Sequence, residues 1–297
     1  MLAWYLSPLR LLSLVLQWVL RHSGASVASV LLAAVSFRSL LFLQRRSRRM
    51  TTNFVNTNIL NVTVPPHLKI RVESGIEFWD VVTSGGLVPS TTSMLSGSPG
   101  AGKTTLCAQL AESLAERGHL CFFNSAEQTK EQVSYLCRER LKLKHGFMFE
   151  TYKDAKSIMD HARKLRKDHP NQHLFLFVDS LTKLAHGKRS EAQRIGNEFI
   201  DFCQDTHTIG IFIVHLTKSG QFQGNNGMLH DFDAYWHMHV EDEESDDGFR
   251  MIQTRKNRFG KKHTVFTELT ETGHVVPTKS ESDDAEEIDD DDIIEEG

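Results

Sequence analysis

Absences bound this sequence first. Its four cysteines, Cys107, Cys121, Cys137 and Cys203, are scattered and form no C-x-x-C pair. That spacing argues against a zinc ribbon and a disulfide framework, and it fits a reducing compartment. Clean apolar runs of the ~20 residues that a spanning helix needs are also missing. Leu11–Leu20 is short, and Ala25–Leu43 is interrupted by Arg38. Net charge is nearly lacking too, at −4 over 297 residues. The small sum conceals two opposite ends. Residues 1–49 hold seven Arg and no acid, whereas residues 281–297 hold eleven Asp or Glu and no base. Without these ends the middle is close to neutral, which gives it no electrostatic footprint for nucleic acid.

What is present reads as a soluble globular protein, 40% hydrophobic and 24% charged, long enough for one large α/β domain. We divide it into a basic-apolar arm (1–49), a core (50–277) and an acidic tail (278–297). Three readings of the arm stay open. It is an upstream extension before a working start at Met50, an Arg-rich and acid-free organellar targeting peptide, or a membrane anchor. A membrane is not expected for the core. The tail has too little apolar content to fold alone and is expected to be disordered. It is either a solubilising segment or a polyanion that competes with nucleic acid or recruits a basic partner.

The strongest signal is Gly97-Ser98-Pro99-Gly100-Ala101-Gly102-Lys103-Thr104-Thr105. A short apolar strand (92–96) precedes it, and a helix (105–117) with Leu106, Leu110 and Leu114 at helical spacing follows. This is G-x-x-x-x-G-K-T in strand–loop–helix context. Glycines let backbone N–H groups converge on a phosphate, and the helix N-terminus adds its dipole. Lys103 can reach the β- and γ-phosphates, while Thr104 offers a hydroxyl to Mg²⁺. ATP and Mg²⁺ are therefore the expected cofactors.

Three more strands carry chemistry at their carboxyl ends, where open α/β sheets bind ligands. Leu120–Phe123 leads to Glu127, a candidate general base for an attacking water. His173–Val178 leads to Asp179, the expected carboxylate partner of Mg²⁺. Gly210–Val214 leads to His215, Thr217 and Lys218, polar residues suited to sensing a γ-phosphate. Helices are expected at 127–141, 154–168 and 190–205. The alternation predicts an α/β fold, a mostly parallel sheet with helices on both faces. His237 and His239 stand at period two in an expected strand. They suit a solvated or interface-facing strand edge better than a metal site.

These residues resemble the RecA-like P-loop ATPases, and within them the RadA/Sms branch, over roughly residues 68–277. The resemblance rests on Gly85–Pro89, the phosphate loop, Ser125–Glu127, His215–Gly220 with Gly224, His230 and Asp233, and above all Lys256-Asn-Arg258-Phe-Gly260. It implies that Glu127 and Lys103 are catalytic. It also implies that Lys256 and Arg258 act in trans on a neighbour's nucleotide, in a ring of identical chains expected as a hexamer. Apart from the resemblance, Lys256–Gly260 reads as a basic β-turn before a strand at Thr264–Leu269. The branch's C-x-x-C zinc module and Lon-protease-like domain have no counterpart in these residues.

Single-stranded DNA is the expected partner. Two segments would face a central channel in a ring, His186–Ser190 with Arg194, and Ser219–His230 with Gln221, Phe222 and Gln223. In them Lys188 and Arg189 would meet phosphates, and Phe222 would stack on a base. The leading expectation is an ATP-driven recombination or repair motor, cytoplasmic or nucleoid-associated, and organellar if the arm is a targeting peptide. The alternatives are a replicative-helicase-like ring, a KaiC-like signalling ATPase, and a nucleotide-gated binding module.

Overall fold

The computed structural model describes residues 58–215, 226–240 and 248–277. The arm, the acidic tail, and Lys218, Gln221, Phe222 and Gln223 lie outside the described residues. The chain divides into two units, Met1–Thr63 and Val64–Gly297. In the first, the described residues make one 3₁₀ turn, Ile59–Asn61, capped by the Asn58 side chain accepting from the Leu60 amide at 3.0 Å.

The second unit contains one sheet. Its strands are β1 (Thr92–Gly97), β2 (Leu120–Ser125), β3 (Met148–Glu150), β4 (Leu174–Asp179), β5 (Ile209–Ile213), β6 (Ala234–Val240), β7 (Phe249–Asn257), β8 (Thr264–Thr270) and β9 (Gly273–Val275). Their spatial order is β3-β2-β4-β5-β1-β6-β7-β8-β9. From β3 to β6 all neighbours pair parallel. Beyond β6 the pairs are antiparallel. A parallel sheet needs cover on both faces. Accordingly β1, β2, β4 and β5 are buried at every position. This is why Leu174–Val178 is a continuous apolar run rather than an alternating one.

The helices are α1 (Glu77–Val82), α2 (Lys103–Glu116), α3 (Lys130–Tyr135), α4 (Ala155–Asp168), α5 (Leu181–Leu184), α6 (Arg189–Thr206) and α7 (Asn226–Asp231). Alternate strand residues point to two cores. On one face Ile158 and Ala162 of α4 and Ile195, Phe199 and Phe202 of α6 meet Phe122, Leu176 and Phe212. On the other, Trp79 of α1 and Leu106, Leu110 and Leu114 of α2 meet Leu95, Phe123, Phe177 and Ile211. Each of the Leu, Ile and Phe side chains contributes about 1.5–3 kcal/mol by leaving water. Among the described residues no helix is long and apolar enough to cross a membrane.

The structure differs from the sequence reading at three places. The helix expected over 127–141 does not start at Glu127. The Ser125 hydroxyl accepts from the amides of Glu127 (3.2 Å) and Gln128 (2.9 Å), holding a turn. Thr129 then forms a capping box with Gln132 and starts α3 at Lys130, and a π-helical turn, Leu136–Arg140, completes the segment. β6 is not an edge, because β1 and β7 flank it. Finally, Lys256 and Asn257 belong to β7, so the turn expected over Lys256–Gly260 is confined to Arg258–Gly260, before β8. That strand buries Arg250 and Thr254 beside Ile252, so polar residues on both faces hide its period.

Candidate functional site

Parallel pairing assembles the site. Ser125 of β2 stands in register with Asp179 of β4, and β5 pairs on the other side of β4. Residues just past these strand ends therefore emerge side by side, next to the end of β1. β1 closes at Gly97, where a Cβ would lie 2.4 Å from the Met238 carbonyl oxygen of β6. Only glycine admits that approach. The loop turns again at Gly102 (φ +94°) and enters α2 at Lys103. Ala101 and Thr105 are buried, while Pro99 and Gly100 face solvent.

Lys103, itself buried, donates to the carbonyl oxygens of Gly97 (2.8 Å) and Ser98 (2.7 Å). Burial lowers its pKa, and the Asp179 and Glu127 carboxylates oppose that shift. Its loop partners are neutral, so its charge is left for an anion to match. The Thr104 hydroxyl donates to Asp179 Oδ2 at 2.7 Å. Asp179 is only 2% exposed, and burial pushes its carboxyl up to about 6 against the pull of the Thr104 hydrogen bond.

Glu127 is the contrasting carboxylate. Its side chain is 31% exposed, and its Oε1 accepts from His215 Nε2 at 2.8 Å and from the Ser180 hydroxyl. The His215 hydrogen bond holds its pKa below the usual carboxylate range, against partial burial. Two neighbouring carboxyls with pKa values pushed apart are a signature of divided chemical roles. Glu127, Asp179 and His215 each offer a ligand atom within 4.8 Å of the others. The Thr104 hydroxyl beside a dry Asp179 carboxylate is an oxygen donor set that fits Mg²⁺, a hard cation. Bound there, Mg²⁺ would neutralise phosphate charge.

Other expected site residues lie elsewhere. β7 runs antiparallel, so Lys256 and Arg258 sit at the amino end of the parallel strands. Lys256 Nζ donates to the carbonyls of Leu229 (3.1 Å), His230 (2.7 Å) and Phe232 (2.6 Å), around the end of α7. Arg258 pairs with Asp233 at 3.1 Å and donates to the His230 carbonyl at 2.7 Å. Asp233 in turn accepts from the Thr92 amide at 3.0 Å, at the start of β1. Lys188 and Arg189 are exposed at the start of α6, whereas Arg194 is held between Glu191 and Glu198.

His237 and His239 do share a face, with ring centroids 3.9 Å apart. His237 Nδ1 is engaged by the Ser96 hydroxyl at 2.7 Å, and burial pushes the ring down to about 4. Among the described residues the pair joins no larger cluster of metal-capable side chains.

Sequence reasoning missed Ser180 as a partner of Glu127, and it missed the Glu127–His215 pairing. A hydroxyl directly after the strand-ending Asp179 was the available signal for the first. Residues 88 positions apart carry no local signal for the second.

Comparison with known proteins shows what this chain is similar to. The family model described as "ATPase: KaiC" matches residues 72–169. DNA repair protein RadA from Streptococcus pneumoniae is 25% identical over 203 residues, 66% of this chain and 46% of that protein. The chain thus spans less than half the length of the curated relatives it matches. A DnaB-like replicative helicase aligns with a TM-score of 0.62 at 13% identity, covering 91% of this chain and 76% of that one. A KaiC-like protein from Pyrococcus horikoshii aligns with a TM-score of 0.56 at 19% identity, covering 70% and 99%.

Proposed function

We propose, from the premise that this chain carries a KaiC/RecA-like P-loop ATPase domain distantly related to RadA, that it hydrolyses ATP at the interfaces of a ring of identical chains moving on single-stranded DNA, in recombination or repair. The observation that carries the hydrolytic part is the convergence of Lys103, Thr104, Asp179 and Glu127 on one end of the sheet. Backbone N–H groups of 100–104 and the Lys103 ammonium bind the phosphates. Thr104 and Asp179 would hold Mg²⁺, which would neutralise phosphate charge. Glu127, kept ionised by His215 and Ser180, orients a water and accepts its proton as the water oxygen bonds to the γ-phosphorus, the bond to the β–γ bridging oxygen breaks, and ADP leaves.

The geometry around β7 favours action in trans for Lys256 and Arg258. Arg250 of β7 reaches the phosphate loop, donating to the Ala101 carbonyl at 3.3 Å. Lys256 lies six positions further on, which at ~3.4 Å per residue is about 20 Å away along the strand. A γ-phosphate met by these cations is then a neighbour's. The DNA role is supported by the relation to RadA and by exposed Lys188 and Arg189.

The test is ATP hydrolysis by the full chain with and without single-stranded DNA, beside Lys103→Ala. DNA-stimulated turnover that vanishes in Lys103→Ala is the expected result. Turnover that depends on Lys103 but ignores DNA would move the protein to a KaiC-like signalling role. Binding without turnover would leave a nucleotide-gated module.

A further inference from the structure

The phosphate loop has an outer side as well as an inner one. On that outer side the Ala101 carbonyl accepts from Arg250 Nε at 3.3 Å, and the Gly102 carbonyl, which also takes the Leu106 amide at 2.9 Å as the first bond of α2, accepts from His274 Nε2 at 3.1 Å. Both side chains are 3% exposed and come from the antiparallel end of the sheet, 149 and 172 positions away in the chain. A carbonyl only accepts, so His274 Nε2 carries the proton and Nδ1 accepts from the Thr267 hydroxyl at 3.2 Å. Burial, with Arg250 adding to it, drives the imidazole pKa down to about 4, against the pull of the Gly102 bond, so this neutral tautomer persists at physiological pH.

β9 is itself tied to α2. The His274 amide donates to Gln109 Oε1 at 2.8 Å, and Gln109 Nε2 donates back to the His274 carbonyl at 3.2 Å. The fit is close. A Cβ on Gly102 would lie 2.6 Å from His274 Nε2, and the backbone there is left-handed at φ +94°.

A trans peptide points its C=O and N–H in opposite directions. The Ala101 carbonyl shares a peptide plane with the Gly102 N–H, and the Gly102 carbonyl shares one with the Lys103 N–H. We propose that Arg250 and His274 are positioning residues for the nucleotide: Arg250 on the Ala101 carbonyl, and His274 together with the Leu106 amide on the Gly102 carbonyl, hold these groups outward and aim the N–H groups of Gly102 and Lys103 at the phosphates. The β7–β9 wing is then the outer half of the phosphate site rather than a sheet extension. This rests on the nucleotide reading above. Pre-aimed donors lower the ordering cost of binding. They do not touch Glu127 or Asp179, so the chemistry of the bound complex is spared.

The test uses the full chain and titration with N-methylanthraniloyl-ADP plus Mg²⁺, with thermal melts to confirm folding. His274→Ala is expected to raise the Kd about 5–10-fold, the worth of one neutral hydrogen bond. In ATP hydrolysis its KM should rise while kcat stays within about twofold, as loss of uniform binding requires. His274→Gln, which returns an N–H near the Nε2 position, should recover most of the affinity. Thr267→Val, which leaves Nε2 in place but frees the tautomer, should cost less than His274→Ala and serves if that variant does not fold. A folded His274→Ala with wild-type Kd, or a His274→Gln as weak as His274→Ala, would overturn the proposal alone. A wild-type chain showing no binding sensitive to Lys103→Ala would instead overturn the nucleotide reading beneath it.

Discussion

The two ends of β7 carry cations in opposite circumstances. At the phosphate-loop end Arg250 is 3% exposed and braces backbone. At the far end the Arg258 side chain is 49% exposed, and apart from Asp233 its partners, like those of Lys256, are neutral carbonyls. A buried cation surrounded by its own fold is committed to that fold. The exposed Arg258 shares one carboxylate with neutral carbonyls, and its open face can still meet an anion from outside the chain. On the proposed function, the difference separates residues that build the site from those that would complete a neighbour's, and four experiments test it.

The largest effect is expected at Glu127. Glu127→Gln should lower kcat about 10²–10⁴-fold, the range of a general base, and leave nucleotide Kd within about twofold. Turnover that persists would remove Glu127 from the chemistry.

Next comes Arg258→Ala. Its expected loss of turnover is on the order of 10²-fold, short of a full arginine finger because Lys256 remains. The sharper measurement mixes Arg258→Ala with Glu127→Gln. Some interfaces then pair an intact Glu127 with an intact Arg258 from another chain, so turnover should exceed that of either variant alone. Absence of rescue would return Arg258 to a role within its own chain.

A smaller effect concerns pH. Asp179 is raised to about 6, so protons compete with Mg²⁺ for it as pH falls through that value. Mg²⁺-dependent nucleotide affinity should drop below pH 6 by up to about tenfold per unit, and Asp179→Asn should abolish that slope. Glu127, shifted the other way, stays ionised across the same window, so kcat at saturation should hold. A fall in kcat with unchanged affinity would reverse the two assignments.

The smallest is structural. Thr129→Ala removes the capping box that starts α3 and should cost about 1 kcal/mol of stability, read as a lower melting temperature. Catalysis should persist, because the Ser125 turn, not α3, presents Glu127.

The parallel strands were legible because each is a buried apolar run followed by punctuation. The phosphate loop was legible because its function is written in consecutive residues. β7 was harder to see, since polar Arg250 and Thr254 are buried on the same face as Ile252 and break its apolar period. The start of α3 was misread because Ser125 draws off two amides that a helix would have used. Arg194 looked like a free cation in sequence, although Glu191 and Glu198 at helical spacing already flank it.

By itself, then, the sequence determined that this chain has a phosphate loop, a run of strands ending in Glu127, Asp179 and His215, and a basic block at Lys256–Gly260. These are local properties, set by backbone freedom, periodicity and neighbours within a few positions. Only the tertiary structure decided which residues meet. Register between β2 and β4 brings Glu127 to Ser180 and His215, and antiparallel pairing sends Arg250 to the phosphate loop and Arg258 away from it. Contacts between residues some 50 to 170 positions apart depend on how strands stack, and no short stretch of sequence encodes that order.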